Sequence, residues 1–159
     1  MKIYYIMGVA GSGKSTIGKM LAEKLNIPFF DADDFHPPSN IEKMKSGQPL
    51  NDLDRIPWLE NIAVTARNQL AGAGAVIACS ALKEEYRRIL AKEIEGQTEW
   101  IFLNGNRAII EERMLQRKDH FMPPALLTSQ FQTLEMPANA ITIDISLSPE
   151  EIIAQIVTE

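Results

Sequence analysis

No apolar run in this chain approaches the roughly 20 residues needed to cross a bilayer, so a membrane span is not expected. The apolar amino-terminal stretch, Met1–Met7, is too short for a secretory signal, and no cleavage-site pattern follows it. Cysteine is nearly absent. With Cys79 alone, neither an intrachain disulfide nor a cysteine-rich metal site can form, and a cytoplasmic protein is the simplest expectation. Excess positive charge is also missing. Sixteen Lys and Arg stand against 21 Asp and Glu, a formal net charge of −5, which argues against a chain that coats nucleic acid or lies on anionic lipid. A small local cationic pocket remains compatible with that balance. The sequence also lacks a Gly-, Ser- or Pro-rich linker, a repeat and a low-complexity tract, so its 159 residues read as a single domain, 1–159. What is present is ordinary for a folded protein: 45% apolar and 23% charged residues. At this size folding buries roughly 70% of the surface of the extended chain.

Apolar patterning alternates between strand and helix. Ile3–Met7, Pro28–Phe30 (ending at Asp31), Gly74–Cys79, Glu99–Leu103 and Ala140–Ile145 read as strands. Helices are expected over Lys14–Leu25, from the capping-box spacing at Ser39–Glu42 to about Gly47, and over Pro57–Leu70, Lys83–Ile94 and Arg107–Arg117. A Pro-containing loop is expected at Met122–Pro124. A terminal helix should open at Ser148-Pro149-Glu150-Glu151, which offers a cap, a proline at the first helical position and early acids. Five apolar strands separated by helices imply an α/β fold: a parallel sheet covered on both faces.

Gly8-Val9-Ala10-Gly11-Ser12-Gly13-Lys14-Ser15 matches G-x-x-x-x-G-K-[ST], after a buried strand and at the start of a helix. Glycines let successive N–H groups turn inward on an anion, and the helix amino terminus adds partial positive charge. Lys14 supplies a point charge for β and γ phosphates, and Ser15 a hydroxyl for magnesium. Such a match arises in well under about one random chain in a hundred of this length. The motif defines a P-loop, not an activity, since GTPases, ATPases and small-molecule kinases share it. No guanine-reading N-K-x-D occurs, and the chain is short for a motor or transporter ATPase, which leaves small-molecule kinases ahead.

An acidic group, Asp31-Ala32-Asp33-Asp34-Phe35-His36-Pro37, falls at the carboxyl end of the second strand, where open parallel sheets bind ligands. In extended chain Asp31 and Asp33 would share an orientation. One carboxylate could then hold magnesium through water, and the other could accept or align the proton of an attacking hydroxyl; a solvated loop is the plain alternative. His36 is either a substrate contact or packing against the prolines. In Asn51–Trp58, Asp52 or Asp54 could serve as a helix cap, and Arg55 is either a fork for a carboxylate or a surface ion-pair partner. Arg113 and Arg117 lie one turn apart, with Lys118 and His120 beyond. They either close over a triphosphate or simply complement a helix carboxyl end. Ser80, after the third strand, could line a substrate cavity; Cys79 needs no role beyond packing.

Taken together, these segments resemble the gluconokinase family through almost the whole chain. The resemblance rests on Gly8–Ser15, Asp31–Pro37, Asn40–Met44, Gly47–Asp52, Asp54–Leu59, Ala78–Lys83 with Tyr86-Arg87, His120–Pro124 and Ser129–Glu135. Ala32 departs from the glycine frequent in the family's Asp-Gly-Asp, and Leu53 stands in a stretch that is often more acidic; neither removes a candidate chemical group. The resemblance implies a P-loop kinase fold like that of shikimate and nucleoside-monophosphate kinases, with a five-stranded parallel sheet and a mobile lid near 117–125. It implies ATP-dependent phosphorylation of D-gluconate at the 6-hydroxyl, with Mg2+. Gly8, Gly11, Ser12, Gly13, Lys14, Ser15 and Thr16, with Arg113 and Arg117, would bind nucleotide. Ser15 and, through water, Asp31 would hold the metal. Lys14, Asp33 and Arg117 would be catalytic. Asp33, His36, Lys43, Arg55, Trp58, Ser80, Lys83 and Arg87 would contact gluconate. No nucleic-acid or membrane partner is implied, and a homodimer is compatible with the resemblance.

Overall fold

The computed structural model describes residues 1–116 and 124–158. Among them five strands form one sheet: β1 (Ile3–Met7), β2 (Phe29–Asp31), β3 (Ala75–Ala78), β4 (Thr98–Asn104) and β5 (Ile141–Asp144). Every pairing is parallel and the order is β2-β3-β1-β4-β5, so β1 lies at the centre with crossovers leaving to both sides. The carboxyl ends of β1, β2 and β3 therefore meet at one edge, bringing Gly8, Asp31 and Ser80 together. The Gly8 N–H donates to the Ser80 carbonyl (3.3 Å), tying two of these ends directly.

Alternation along the strands divides the core into two layers. Ile3, Tyr5 and Met7 of β1, Ala75 and Ile77 of β3, and Phe102 of β4 face one side. There they pack on α3 (Asp52–Gln69) through Trp58, Leu59, Ile62 and Ala66, and on α4 (Glu84–Leu90) through Tyr86 and Leu90. Ile6, Val76, Ile101 and Leu103 face the other side. That layer is covered by α1 (Lys14–Leu25), α5 (Arg107–Gln116), α6 (Pro124–Thr133) and α7 (Pro149–Thr158), which contribute Ile17, Leu21, Ile110, Leu127, Ile152 and Ile156. Tyr5 stacks on Trp100 at 4.6 Å, and its buried hydroxyl donates to the Leu90 carbonyl (2.9 Å). A buried phenol without that partner would be costly.

The elements expected from the sequence are present, with four instructive shifts. First, α3 begins at Asp52, not Pro57, because Asn51 and Asp54 form a reciprocal capping box: the Asp54 N–H donates to Asn51 Oδ1 (2.8 Å) and the Asn51 N–H to Asp54 Oδ2 (2.9 Å). Pro57 lies inside the helix. Its missing N–H would have served the carbonyl of Leu53, a residue near the open start of the helix that is 78% exposed as a whole. Second, α2 (Pro38–Lys45) starts with a proline at the first helical position, which leaves Ser39 inside the helix and the capping box expected there unformed. Third, α4 ends at Leu90, and Glu93 then adopts a left-handed backbone (φ 71°) that an α-helix cannot continue through. Fourth, Pro124 opens helix α6 where only a loop was expected. The rest of the expected lid, with Arg117, Lys118 and His120, lies outside the described residues. At α7 the expected cap is formed: the Glu151 N–H donates to Ser148 Oγ (3.2 Å).

Candidate active site

The phosphate loop joins β1 to α1. Gly8, Gly11 and Gly13 carry φ of 151°, 79° and 97°, backbone that side-chain-bearing residues avoid. A Cβ on Gly8 would come 2.8 Å from Ser12 Oγ and 3.0 Å from the Leu103 carbonyl, so this position is closed to a side chain as well. Ser12 is 1% exposed, and its Oγ has no hydrogen-bond partner among the described residues. An orphaned hydroxyl inside a curled main-chain nest is what an anionic guest would satisfy, and the loop fits a polyphosphate. Lys14 Nζ donates to the Val9 carbonyl (3.1 Å), folding the ammonium over the loop. Thr16 lies exposed in the first turn of α1. Arg113 on α5 donates to the Ile145 carbonyl through Nη2, and its Nη1 would be 3.9 Å from a Cβ on Gly13, so its guanidinium borders the loop.

Asp31 faces that loop from β2. Its Oδ2 accepts from Ser15 Oγ (3.0 Å), which brings two oxygen ligands suited to magnesium together. Its Oδ1 accepts from the Asp33 N–H (3.0 Å), because the chain coils into a short 3-10 turn over Ala32–Phe35 with Asp31 as cap. The two aspartates are therefore brought together by a capped turn, not by the period of an extended strand. The Asp33 carboxyl is pushed above the ordinary aspartate range, first by desolvation and then by Asp31; Lys14 and His36 oppose the shift.

Beside this edge lies a cavity of about 650 Å³, walled in part by His36, Arg55, Trp58, Ser80, Tyr86 and Gln130. His36 stacks on Trp58 (4.4 Å, 13° between planes), and Trp58 Nε1 donates to the Ala32 carbonyl (2.7 Å). Desolvation, with Arg55 nearby, holds the His36 pKa below the usual histidine value, against the pull of Asp33. Its Nδ1 is 3.4 Å from Asn40 Nδ2. Arg55 Nη1 donates to the Tyr86 hydroxyl (3.1 Å) and lies 3.6 Å from Asp52 Oδ1. The Tyr86 hydroxyl donates to Asp52 Oδ1 (2.5 Å), and this bond is the main reason the Asp52 pKa is lowered. Asp54 is lowered chiefly by its hydrogen bond from Lys43 (2.6 Å). Lys83 sits 3.4 Å from Asp52. Among the described residues that line the cavity, Arg55 is the one Lys, Arg, Asp or Glu side chain, with its partner Asp52 behind the wall.

His36, Arg55, Trp58 and Ser80 thus meet at one cavity. Lys43 and Lys83 stand behind it as the partners of Asp54 and Asp52. Arg87 does not line this cavity. It is 4% exposed, and its guanidinium donates to the carbonyls of Ala81 (2.6 Å) and Glu135 (2.9 Å) and to Glu84 Oε2 (3.2 Å). Cys79 is buried, and burial pushes its thiol up to about 12, which makes it inert packing. Sequence reasoning missed Tyr86 and the cavity face of α6. The only signal was their place inside the segments that carried the family resemblance.

A P-loop followed by an acidic turn, on a five-stranded parallel sheet of this order, defines a small-molecule P-loop kinase. The family model described as shikimate kinase matches residues 10–159. The gluconokinase of Arabidopsis thaliana is 42% identical over 167 residues, covering 96% of this chain and 88% of that protein. The crystal structure of a gluconokinase from Sinorhizobium meliloti superposes with a TM-score of 0.86 at 40% identity, covering 99% of this chain and 90% of that one. The shikimate kinase of Aquifex aeolicus shares the fold at TM-score 0.63 but only 19% identity. The chain belongs to the gluconokinase family.

Proposed function

We propose that this protein transfers the terminal phosphoryl group of ATP to the 6-hydroxyl of D-gluconate, in the cytoplasm and as one kinase domain over residues 1–159. The observation that carries the reading is the placement of this cavity, with the Arg55 guanidinium in its wall, directly beside a phosphate loop. A sugar acid with one carboxylate and several hydroxyls matches the Arg55 guanidinium and the polar groups of His36, Ser80, Tyr86 and Gln130, set in an otherwise largely apolar wall, and a volume of about 650 Å³ accommodates it. The family membership and the identity to named gluconokinases support the same substrate.

The residues divide the work. The loop amides, Ser12 Oγ and the Lys14 ammonium hold the phosphates; Ser15 and, through water, Asp31 would hold magnesium, which would offset phosphate charge. ATP, when bound, supplies the phosphoryl group and a good leaving group. Asp33 accepts or aligns the proton of the attacking hydroxyl, and its raised pKa brings it nearer to the basicity such a role requires. Arg55 takes the gluconate carboxylate through its unused N–H groups, with Tyr86 and Asp52 fixing its plane. Neutral His36 and Ser80 offer hydrogen bonds to the hydroxyls, with Trp58 as the apolar backing.

ADP release measured with gluconate, shikimate and a set of nucleoside monophosphates tests the reading. Gluconate should stimulate release at least tenfold over the rate without acceptor. Stimulation by another acceptor and none by gluconate would overturn the substrate. No acceptor-dependent turnover, with nucleotide still bound, would make the chain a binding module instead.

A further inference from the structure

Helix α6 presents Leu126, Ser129, Gln130 and Thr133 to the cavity. These positions follow the spacing i, i+3, i+4, i+7, so they form one face of the helix. Leu127, on the flank of that face, fixes the helix in the core and is 1% exposed. The carboxyl end of α6 is stitched to α4 and the loop before it: the Glu135 N–H donates to the Leu82 carbonyl (2.7 Å), Arg87 donates to the Glu135 carbonyl (2.9 Å), and the Glu84 N–H donates to Glu135 Oε1 (2.7 Å). From this anchored base Gln130 reaches across to the phosphate loop. Its Oε1 accepts from the main-chain N–H of Ala10 at 2.6 Å. The chemistry of that contact settles which end of the carboxamide is which: an amide N–H can only meet the oxygen. The two N–H bonds of the Gln130 side chain are then on the other arm of the same rigid plane, in a residue that forms part of the cavity wall.

The geometry points to Gln130 as a positioning residue that couples the two halves of the site. Its oxygen holds the phosphate loop at Ala10, and its NH2 group donates to a hydroxyl of the acceptor. Because one planar group serves both, an acceptor that fixes the NH2 also fixes the loop, and an ordered loop presents the NH2 to the acceptor. Such coupling is reciprocal in binding free energy. The acceptor half of this inference rests on the proposed gluconate reading; the loop half does not.

Two variants separate the arms. Gln130→Glu keeps an oxygen for Ala10 and removes the NH2 donors. Gln130→Met keeps the length of the side chain and removes both. In steady-state kinetics with ATP and gluconate, Gln130→Glu should raise the gluconate KM at least tenfold and remove the tightening of ATP that saturating gluconate gives in the parent protein. Gln130→Met should raise both at least fivefold, with the melting temperature of each variant close to that of the parent protein. If Gln130→Met leaves both KM values within twofold, or gluconate tightens ATP in Gln130→Glu as much as in the parent protein, the coupling role is wrong. ADP binding by calorimetry reads the loop half without any acceptor: a fivefold weakening in Gln130→Met and none in Gln130→Glu is expected, and equal affinities would overturn it. Should the parent protein itself fail to phosphorylate gluconate while ADP binding splits in this way, the substrate reading and the NH2 assignment fall and the loop contact stands.

Discussion

In the phosphate loop, eight consecutive residues running from the end of β1 into the first turn of α1 supply the cradle, and its curled main chain turns N–H groups inward. The acceptor wall is assembled differently. His36, Arg55, Trp58, Ser80, Tyr86 and Gln130 come from five stretches of chain, and three of these side chains are aimed by partners: Arg55 by Tyr86 and Asp52, Trp58 by the Ala32 carbonyl, Gln130 by Ala10. A backbone nest serves any polyphosphate, so it is general and local. A wall of oriented side chains is specific and non-local, and it is braced from behind by buried groups such as Arg87.

The comparison breaks first at Asp33, which belongs to neither plan and lies between them. Asp33→Asn should lower turnover at least about 100-fold while leaving ATP binding within a few-fold, read by steady-state kinetics beside nucleotide titration. Because its folded pKa is raised, the acid limb of the turnover profile should lie above the ordinary aspartate range and disappear in the variant. The same shift has a sign for stability. The folded state holds the Asp33 proton more tightly than the unfolded chain does, so this residue's contribution falls as pH rises through the interval between the two values. Asp33→Asn should therefore not lower, and should slightly raise, the melting temperature at neutral pH.

Arg87→Met tests the support. It strips the donor from two carbonyls, those of Ala81 and Glu135, and should cost about 2 kcal/mol, roughly 30-fold in the folding equilibrium. Denaturant unfolding would measure the loss; a change in gluconate KM without it would return Arg87 to the wall. Arg55→Lys keeps the charge and loses the planar fork, so the gluconate KM should rise about tenfold with the ATP KM unchanged. Equal losses for both ligands would mean that Arg55 organises the whole site. The smallest effect is expected at Ser12. Ser12→Ala removes a buried hydroxyl that has no partner among the described residues, so the ligand-free protein should gain up to about 1 kcal/mol while ADP binds a few-fold more weakly.

The strands and the loop were legible because they are written in contiguous signals: apolar runs of strand length, and glycines at fixed spacing before Lys14. Asp31 and Asp33 could be read as a pair for the same reason, although a capped 3-10 turn, not strand alternation, joins them. Helix boundaries were less legible where side chains compete for them. Asn51 and Asp54 start α3 five residues before the proline that looked like its beginning, and no periodicity announces a reciprocal cap. Arg87 and Arg55 have the same chemistry in the sequence, and only tertiary packing sends one into the interior and the other to the cavity. Gln130 carries no signal of its own, since its partner is 120 positions away.

Phosphorus NMR of the protein with magnesium, ATP and D-gluconate tests the central claim most directly, since it sees both halves of the site act at once. The account predicts one new phosphomonoester resonance, on the carbon-6 oxygen of gluconate, growing in step with ADP. Inorganic phosphate growing in its place, or ADP appearing at the same rate with gluconate left out, would contradict it.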